Sequence, residues 1–100
     1  MNTYPIVSVV VPMFNVENYI EECLHSVLAQ TWQNFEIFCV DDGCTDGTLL
    51  KLDLFTDSRI RLVRQPNKGL AAARNTGIRA VEINNHPKST LCRYANKPLL

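Results

Sequence analysis

Residues 35–48 read FEIFCVDDGCTDGT, and they carry the strongest indication of the fold. The apolar first part, over 35–40, predicts a buried strand. Two adjacent carboxylates, Asp41 and Asp42, follow directly and lead into a turn that contains Gly43, after which a helical pattern begins. In an open α/β sheet, ligands bind beyond the carboxyl ends of the strands. The sequence therefore predicts hydrogen-bond acceptors at the ligand-binding edge of such a sheet.

The rest of the chain predicts strands and helices in alternation. Strands are predicted over 6–11, 35–40 and 59–64 from β-branched and apolar runs. Helices are predicted up to Leu28 with Asn15 as the cap, from Asp46 to about Phe55, and from Leu70 to Val81. The order βαβαβα indicates a three-layer α/β fold with a parallel sheet and right-handed crossovers. From residue 82 onward no period is evident, which predicts an irregular tail over 82–100.

Composition and charge limit the class of protein. The chain has 100 residues, of which 46% are hydrophobic, so it is one globular domain or part of one. Residues 1–50 contain acids but no Lys or Arg, whereas all the Lys and Arg residues lie in 51–100. Two interpretations of this polarity stay open: the basic half holds an anionic ligand, or two oppositely charged faces attract each other.

Several classes of protein are excluded by missing motifs. The first strand is not followed by G-x-G-x-x-G, and no P-loop is present, which argues against hydride-transfer enzymes and P-loop ATPases. The 4 cysteines form no C-x-x-C pair, and the predicted compartment is the reducing cytoplasm. The apolar run at the N-terminus is too short for a signal peptide or a membrane span.

A set of motifs narrows the class further. They read VVVPMFNVE (9–17), LAQT (28–31), VDDGCTDGT (40–48) and NKGLAAARNTG (67–77). In this order and spacing they closely resemble the N-terminal part of the family 2 glycosyltransferases, over roughly residues 6–81. The resemblance implies an incomplete GT-A fold, a Rossmann-like nucleotide-diphospho-sugar transferase domain, with its nucleotide-binding part over 1–81. Residues 82–100 depart from the family.

The resemblance also implies a set of nucleotide-binding residues. By this resemblance, Pro12, Met13 and Phe14 surround the nucleobase, and Asp42 accepts a hydrogen bond from the base, typically from the N–H of uracil. Asp41 braces the turn. The resemblance also implies that Lys68, Gly69 and Arg74 hold the ribose and phosphates, and that Glu17 belongs to the nucleotide site. For Glu17 and Arg74 alternatives stay open, namely an acid at a helix start and a cation that stabilises the strand ends.

The implied function of the parent protein is transfer of a sugar from a nucleotide donor, such as a UDP-sugar, to a glycan or lipid-linked acceptor. This implies polysaccharide biosynthesis in the cytoplasm or at the inner face of the membrane, with no nucleic-acid partner. The family continues with a fourth strand and a D-x-D-type motif that holds Mn or Mg, and later with a general base. The only acid in 82–100 is Glu82, so no catalytic residue and no metal ligand is assigned.

Two expectations follow from that departure. We expect the chain to be an inactive, truncated transferase, and the alternative is a nucleotide-binding or interaction module without catalysis. Without a fourth strand, the first strand would be an exposed apolar edge, and such an edge is a template for pairing with another chain. The sequence therefore predicts self-association through the first strand.

Overall fold

The computed structural model describes residues 7–83 and 89–93. In this part of the chain the elements are β1 (Val7–Met13), α1 (Ile20–Leu28), β2 (Phe35–Asp42), α2 (Thr48–Leu52), β3 (Ile60–Gln65), α3 (Leu70–Ile83) and β4 (Ser89–Cys92). The strands form one sheet in the order β3-β2-β1-β4, and every neighbouring pair is parallel. The prediction of an α/β fold with a parallel sheet and alternating helices is confirmed.

The sheet is buried on both faces in its centre, which explains the continuous apolar runs of β1 and β2. Alternate residues of a strand point to opposite faces. One face carries Val11 and Cys39 and packs under α1 and α2. The other face carries Val10 and Val40 and packs under α3. Gly77 allows α3 to approach closely, because a Cβ atom there would lie 2.3 Å from Cγ1 of Val10.

The irregular tail predicted from residue 82 onward is wrong over two stretches. Residues 82–83 complete α3, and residues 89–92 form β4, which pairs with β1 from Val7↔Ser89 to Val10↔Cys92. The backbone N–H of Arg93 donates to the Val10 carbonyl at 2.8 Å, and its guanidinium donates to Oγ of Ser26 in α1 at 2.8 Å. Residues 84–88 and 94–100 of the predicted tail lie outside the described residues.

Since β1 lies between β2 and β4, it is not an edge strand. The expectation of an exposed first strand is therefore wrong, and the predicted self-association through that strand loses its physical basis. Ile6, where the first strand was predicted to begin, lies outside the described residues. No helix of the described ranges is both long and apolar enough to cross a membrane.

The strand and helix ends also differ from the sequence prediction. β1 continues to Met13 and β2 to Asp42, because the two strands stay paired up to Met13↔Asp41. The prediction of Asn15 as the cap of α1 is wrong, since α1 begins at Ile20 and Asn15 has a positive φ of 51°. Helix α2 ends at Leu52, short of the predicted end near Phe55.

Ion pairs connect the acidic first half of the chain to its basic second half. Arg64 lies 3.3 Å from Asp41, Arg61 lies 3.8 Å from Glu36, and Lys51 lies 3.6 Å from Glu21. Part of the charge polarity is thus used within the fold. Asp41 and Glu36 are buried, but the cation of each pair is open to solvent, so these pairs do not exclude an anionic ligand.

Candidate functional site

The carboxyl ends of β1, β2 and β3 lie at one edge of the sheet, and the three loops that leave them meet there. These loops cover residues 14–19 after β1, 43–47 after β2 and 66–69 after β3. The last two touch each other: Gly43 has a φ of 81°, and a Cβ atom on it would lie 2.9 Å from the backbone nitrogen of Asn67. Only glycine meets both demands without strain.

Asp42 is the centre of this edge, and it is completely buried. Its Oδ1 accepts hydrogen bonds from Nε2 of Gln65 at 2.8 Å and from the backbone N–H of Lys68 at 2.8 Å. Its Oδ2 accepts from the backbone N–H of Gly69 at 2.9 Å and from Nδ2 of Asn67 at 3.2 Å. A carboxylate offers about four acceptor positions, so protein donors occupy the side chain fully.

These bonds decide the protonation state of Asp42. Burial alone would raise its pKa, but the hydrogen bonds from Gln65, Lys68 and Gly69 outweigh burial and hold the pKa below its ordinary value. Asp42 is therefore ionised at neutral pH. Its negative charge lies against the N-terminus of α3, whose helix dipole it complements.

The predicted phosphate contacts at the start of α3 have a different geometry from the one expected. The backbone N–H groups of Lys68 and Gly69 point to Asp42, so they are occupied by a protein anion. Gly69 has a φ of 98°, and there is open space where its Cβ would be. The side chains of Lys68 and Arg74 are exposed and form no ion pair with any residue of 7–83 or 89–93. The cationic groups available to an anion are therefore side chains.

Asp41 points to the opposite face of the sheet from Asp42, as strand alternation requires. Its Oδ1 accepts from the backbone N–H of Cys44 at 2.7 Å, and its Oδ2 accepts from Nε of Arg64 at 3.3 Å. Asp41 therefore braces the turn after β2. Cys44 lies in that turn, where burial raises the pKa of its thiol to about 11. The thiol is protonated at neutral pH.

The predicted site residues at the end of β1 and in the loop after it differ sharply in exposure. Pro12 and Met13 are buried, so their side chains do not face solvent at this edge. Phe14 is 40% exposed and presents its ring at the edge of the sheet. Glu17 accepts a hydrogen bond from the backbone N–H of Gly47 at 3.2 Å, so its carboxylate joins two loops. Of these four predicted site residues, Phe14 is the one whose side chain faces solvent freely.

Residues that the sequence prediction did not place in the site fasten the first two loops together. Oδ1 of Asn15 accepts from the backbone N–H groups of Thr45 at 2.8 Å and of Asp46 at 3.3 Å. The backbone N–H of Val16 donates to Oγ1 of Thr48 at 2.8 Å. Burial would raise the pKa of Asp46, but hydrogen bonds, above all from Thr48, hold it below its usual range. Short polar side chains beside each strand end were the only sequence signal for this network.

The described residues do not fit a divalent cation. In residues 7–83 and 89–93, no three His, Cys, Asp or Glu side chains converge. The carboxylates at the edge, those of Asp41, Asp42 and Asp46, accept hydrogen bonds from N–H groups. A hard cation needs free oxygen ligands, and these oxygens are turned towards donors.

A separate concave pocket of about 280 Å³ lies at the amino ends of β2 and β3, away from the carboxyl edge, and is lined by residues 33–36, Ser58, Arg59 and Arg61. Its charged groups are already paired. Arg59 forms an ion pair with Asp57 at 2.8 Å and stacks on Phe35 at 4.3 Å, and Arg61 lies 3.8 Å from Glu36. The charges that line this pocket are therefore used within the fold, and they favour a structural role.

Comparison with known proteins assigns most of the chain to one family. Residues 8–82 match the family described as glycosyl transferase family 2. The uncharacterised glycosyltransferase EpsJ of Bacillus subtilis is 50% identical to the chain over 78 residues, which are 76% of this chain and 23% of EpsJ. The chain thus spans about a quarter of the length of that relative.

Two solved structures share the fold. TarS 1–349 of S. aureus in complex with UDP superposes with a TM-score of 0.78 at 27% identity, covering 90% of this chain and 27% of that one. The mannosyltransferase PcManGT of Pyrobaculum calidifontis, in complex with GDP-Man and Mn2+, superposes with a TM-score of 0.68 at 31% identity. That match covers 80% of this chain and 25% of the other.

Proposed function

The chain belongs to glycosyl transferase family 2, and we propose that the carboxyl edge of its sheet is the nucleotide end of a sugar-nucleotide site. The observation that carries the proposal is the meeting of three kinds of group at one edge. These are an exposed aromatic ring (Phe14), a buried carboxylate (Asp42) and two cations that have no ion pair within 7–83 and 89–93 (Lys68 and Arg74). A nucleoside diphosphate has a flat base that suits the aromatic ring and hydrogen-bond donors that suit the carboxylate. Its anionic diphosphate suits the two cations.

The aromatic ring and the cations supply the affinity. The exposed face of Phe14 is available for stacking on a base, and such stacking is worth about 1–3 kcal/mol. The ammonium of Lys68 and the guanidinium of Arg74 attract the diphosphate, and the guanidinium can bind two of its oxygens at once. Gly69 leaves open space beside Lys68, so a phosphate can approach the Lys68 side chain there.

For Asp42 to contact the base, one of its protein donors has to leave. Nδ2 of Asn67 is the weakest of them, because it is 3.2 Å from Oδ2 of Asp42 and is shared with the Asp42 backbone oxygen at 3.1 Å. Asn67 is also exposed, so its amide can turn to water. A base with an N–H on its edge, such as uracil, would take its place. We therefore propose UDP as the nucleotide, which is also the ligand in the TarS complex.

For the whole protein, we propose transfer of a sugar from a UDP-sugar to a glycan or lipid-linked acceptor. The divalent metal that the family uses would neutralise the leaving diphosphate, and PcManGT was solved with Mn2+. The described residues do not fit that ion, and none of them is assigned as a general base. We therefore propose that this chain binds and orients a nucleotide without transferring sugar.

The first experiment is calorimetric titration of the chain with UDP, with and without MnCl2. Metal-independent binding is expected, and Phe14→Ala and Arg74→Ala are each expected to weaken it about fivefold, as a loss of about 1 kcal/mol requires. Arg79→Ala is the matched control, because Arg79 is exposed on α3 but lies five residues further from the carboxyl edge. We expect its affinity to be unchanged.

A second candidate function is an interaction module without a nucleotide. The exposed apolar side chains Leu50, Leu54 and Ile83 favour it, since they belong to none of the three loops at the carboxyl edge. Absence of UDP binding by the folded wild-type chain would support this candidate and overturn the nucleotide proposal. Turnover of a UDP-sugar by the chain would contradict the proposed inactivity.

A further inference from the structure

Asn15 has an unusual backbone conformation at a sensitive place. In residues 7–83 and 89–93 it is the one non-glycine residue with a positive φ, at 51°. It lies between Phe14, whose ring is exposed, and Val16, which is buried in the core under α1. A left-handed residue is disfavoured by its own Cβ, and asparagine tolerates it better than most because its short amide can bond locally.

The side chain of Asn15 holds this conformation by bonds to a loop about 30 residues away. Its Oδ1 accepts from the backbone N–H groups of Thr45 at 2.8 Å and of Asp46 at 3.3 Å. Its Nδ2 donates to Oγ1 of Thr45 at 3.2 Å. Both groups of the amide are thus used, and both connect the β1–α1 loop to the β2–α2 loop.

The chain is fixed on either side of the Phe14–Asn15 pair. Met13 is fully buried at the end of β1, and its carbonyl contacts Sγ of Cys44 at 3.5 Å. Val16 is buried, and its N–H donates to Thr48. Because both ends are held, the backbone torsions of the two residues between them set the direction of the Cα–Cβ bond of Phe14, from which its ring extends. A change of Asn15 from the left-handed to the extended region would redirect that segment.

We propose that Asn15 is a positioning residue, which sets the orientation of the Phe14 ring against the nucleobase. The identity of the ligand rests on the proposed function, whereas the placement of the ring does not. The amide of Asn15 acts through Thr45 and Asp46, so the β2–α2 loop and the aromatic platform are held as one rigid unit. The site is then preorganised, and nucleotide binding does not have to order the ring.

The simpler interpretation is that the amide only joins two loops and so stabilises the fold. Variants separate the two interpretations. Asn15→Gly keeps the left-handed backbone but loses the amide, Asn15→Ala loses both, and Asn15→Asp keeps the acceptor for the two N–H groups. Asn18→Gly is the matched control, since Asn18 is an exposed asparagine of the same loop with no side-chain hydrogen bond to the described residues.

The test uses a single indole as a reporter of the ring. Phe14→Trp is combined with Trp32→Phe, which leaves one indole in the chain because Trp32 is the one native tryptophan. In this background we measure time-resolved anisotropy of the introduced indole without ligand, quenching of its fluorescence by UDP, and the urea unfolding midpoint. Asn15→Gly and Asn15→Ala are expected to increase the fast anisotropy component and to weaken UDP binding fivefold or more. Asn15→Asp is expected to restore most of both.

The outcomes separate the positioning claim from the nucleotide proposal. If the reporter chain does not bind UDP but its anisotropy responds to Asn15 as expected, the nucleotide proposal fails and the positioning claim stands. If Asn15→Gly and Asn18→Gly have the same anisotropy, the positioning claim is overturned, whatever the affinity. It is also overturned if Asn15→Asp lowers stability as much as Asn15→Ala and leaves the ring equally mobile. Should Asn15→Ala fail to fold, Asn15→Gly against Asn15→Asp gives the same comparison.

Discussion

Replacement of Asp42 gives the sharpest test of how the carboxyl edge is built. In Asp42→Ala, the backbone N–H groups of Lys68 and Gly69 lose an ionised acceptor at 2.8 and 2.9 Å. Hydrogen bonds to charged groups are worth about 1.5–3 kcal/mol each, so these two account for about 3 kcal/mol at the lower limit of that range. The side-chain amides of Gln65 and Asn67 can turn to water, and together they add about 1 kcal/mol.

We therefore expect Asp42→Ala to lower the free energy of unfolding by about 4 kcal/mol at pH 7. This is a large part of the roughly 5–15 kcal/mol available to a domain. The assay is urea unfolding followed by far-UV circular dichroism. Asp53→Ala is the control, because Asp53 is exposed and its carboxylate has no hydrogen bond or ion pair to the described residues. We expect the control to change stability by less than about 0.5 kcal/mol.

The pH dependence gives the same test an independent readout. The folded-state pKa of Asp42 lies below its unfolded value, so its stabilisation is complete above the unfolded pKa of about 4 and is lost as the pH falls through the folded value. The difference between wild type and Asp42→Asn should thus shrink below about pH 4. Two results would refute the role of Asp42 as the acceptor for the β3–α3 loop. One is a loss of unfolding free energy below about 1 kcal/mol in Asp42→Ala at pH 7, and the other is a difference between wild type and Asp42→Asn that does not depend on pH.

Three further changes test other parts of the structure. Gly77→Ala should destabilise the chain by about 1 kcal/mol in urea, because overpacking against Val10 at 2.3 Å outweighs the helix propensity gained; a stabilised variant would contradict the close approach of α3. Hydrogen bonds from Arg59 lower the pKa of Asp57 to about 2, so its stabilisation should be lost from about pH 4 to pH 2. Asp57→Asn should lower the free energy of unfolding by about 1 kcal/mol at pH 7, because solvent screens this half-exposed pair. If wild type and Asp57→Asn lost stability equally between pH 4 and pH 2, this assignment would be refuted. Cys44 has a pKa of about 11, so at pH 8 it should react with iodoacetamide far more slowly in the folded chain than in the unfolded chain. Mass spectrometry measures both rates, and equal rates would contradict the burial of this thiol.

Much of the sheet could be predicted because local sequence patterns mark its strands. The runs of β1 and β2 are apolar without interruption, which is typical of strands covered on both faces, and turn residues separate them from the helices. β4 could not be predicted in this way. Its four residues, Ser89–Cys92, are too short for a period, and the strand is defined by its pairing with β1, which is a tertiary contact.

The location of the candidate site could be predicted from the sequence, but the hydrogen bonds between its loops could not. The adjacent carboxylates at the end of β2 marked the edge, yet nothing local showed that Asp42 bonds to donors 23 to 27 residues later. Asn15 shows the same limit. Local rules favour asparagine as a helix cap, but the bonds to Thr45 and Asp46 take the side chain to another loop.

Nucleotide binding at the carboxyl edge can be located residue by residue with chemical-shift mapping. The ¹⁵N-labelled chain is titrated with UDP in the absence of divalent metal, and the shift of each backbone amide is followed. We expect shifts concentrated at 14–17, 41–47 and 65–70, and we expect Phe14→Ala to reduce them. Absence of saturable shifts, or shifts concentrated at residues 33–36 and 58–61 around the opposite pocket, would show that the nucleotide does not bind at this edge.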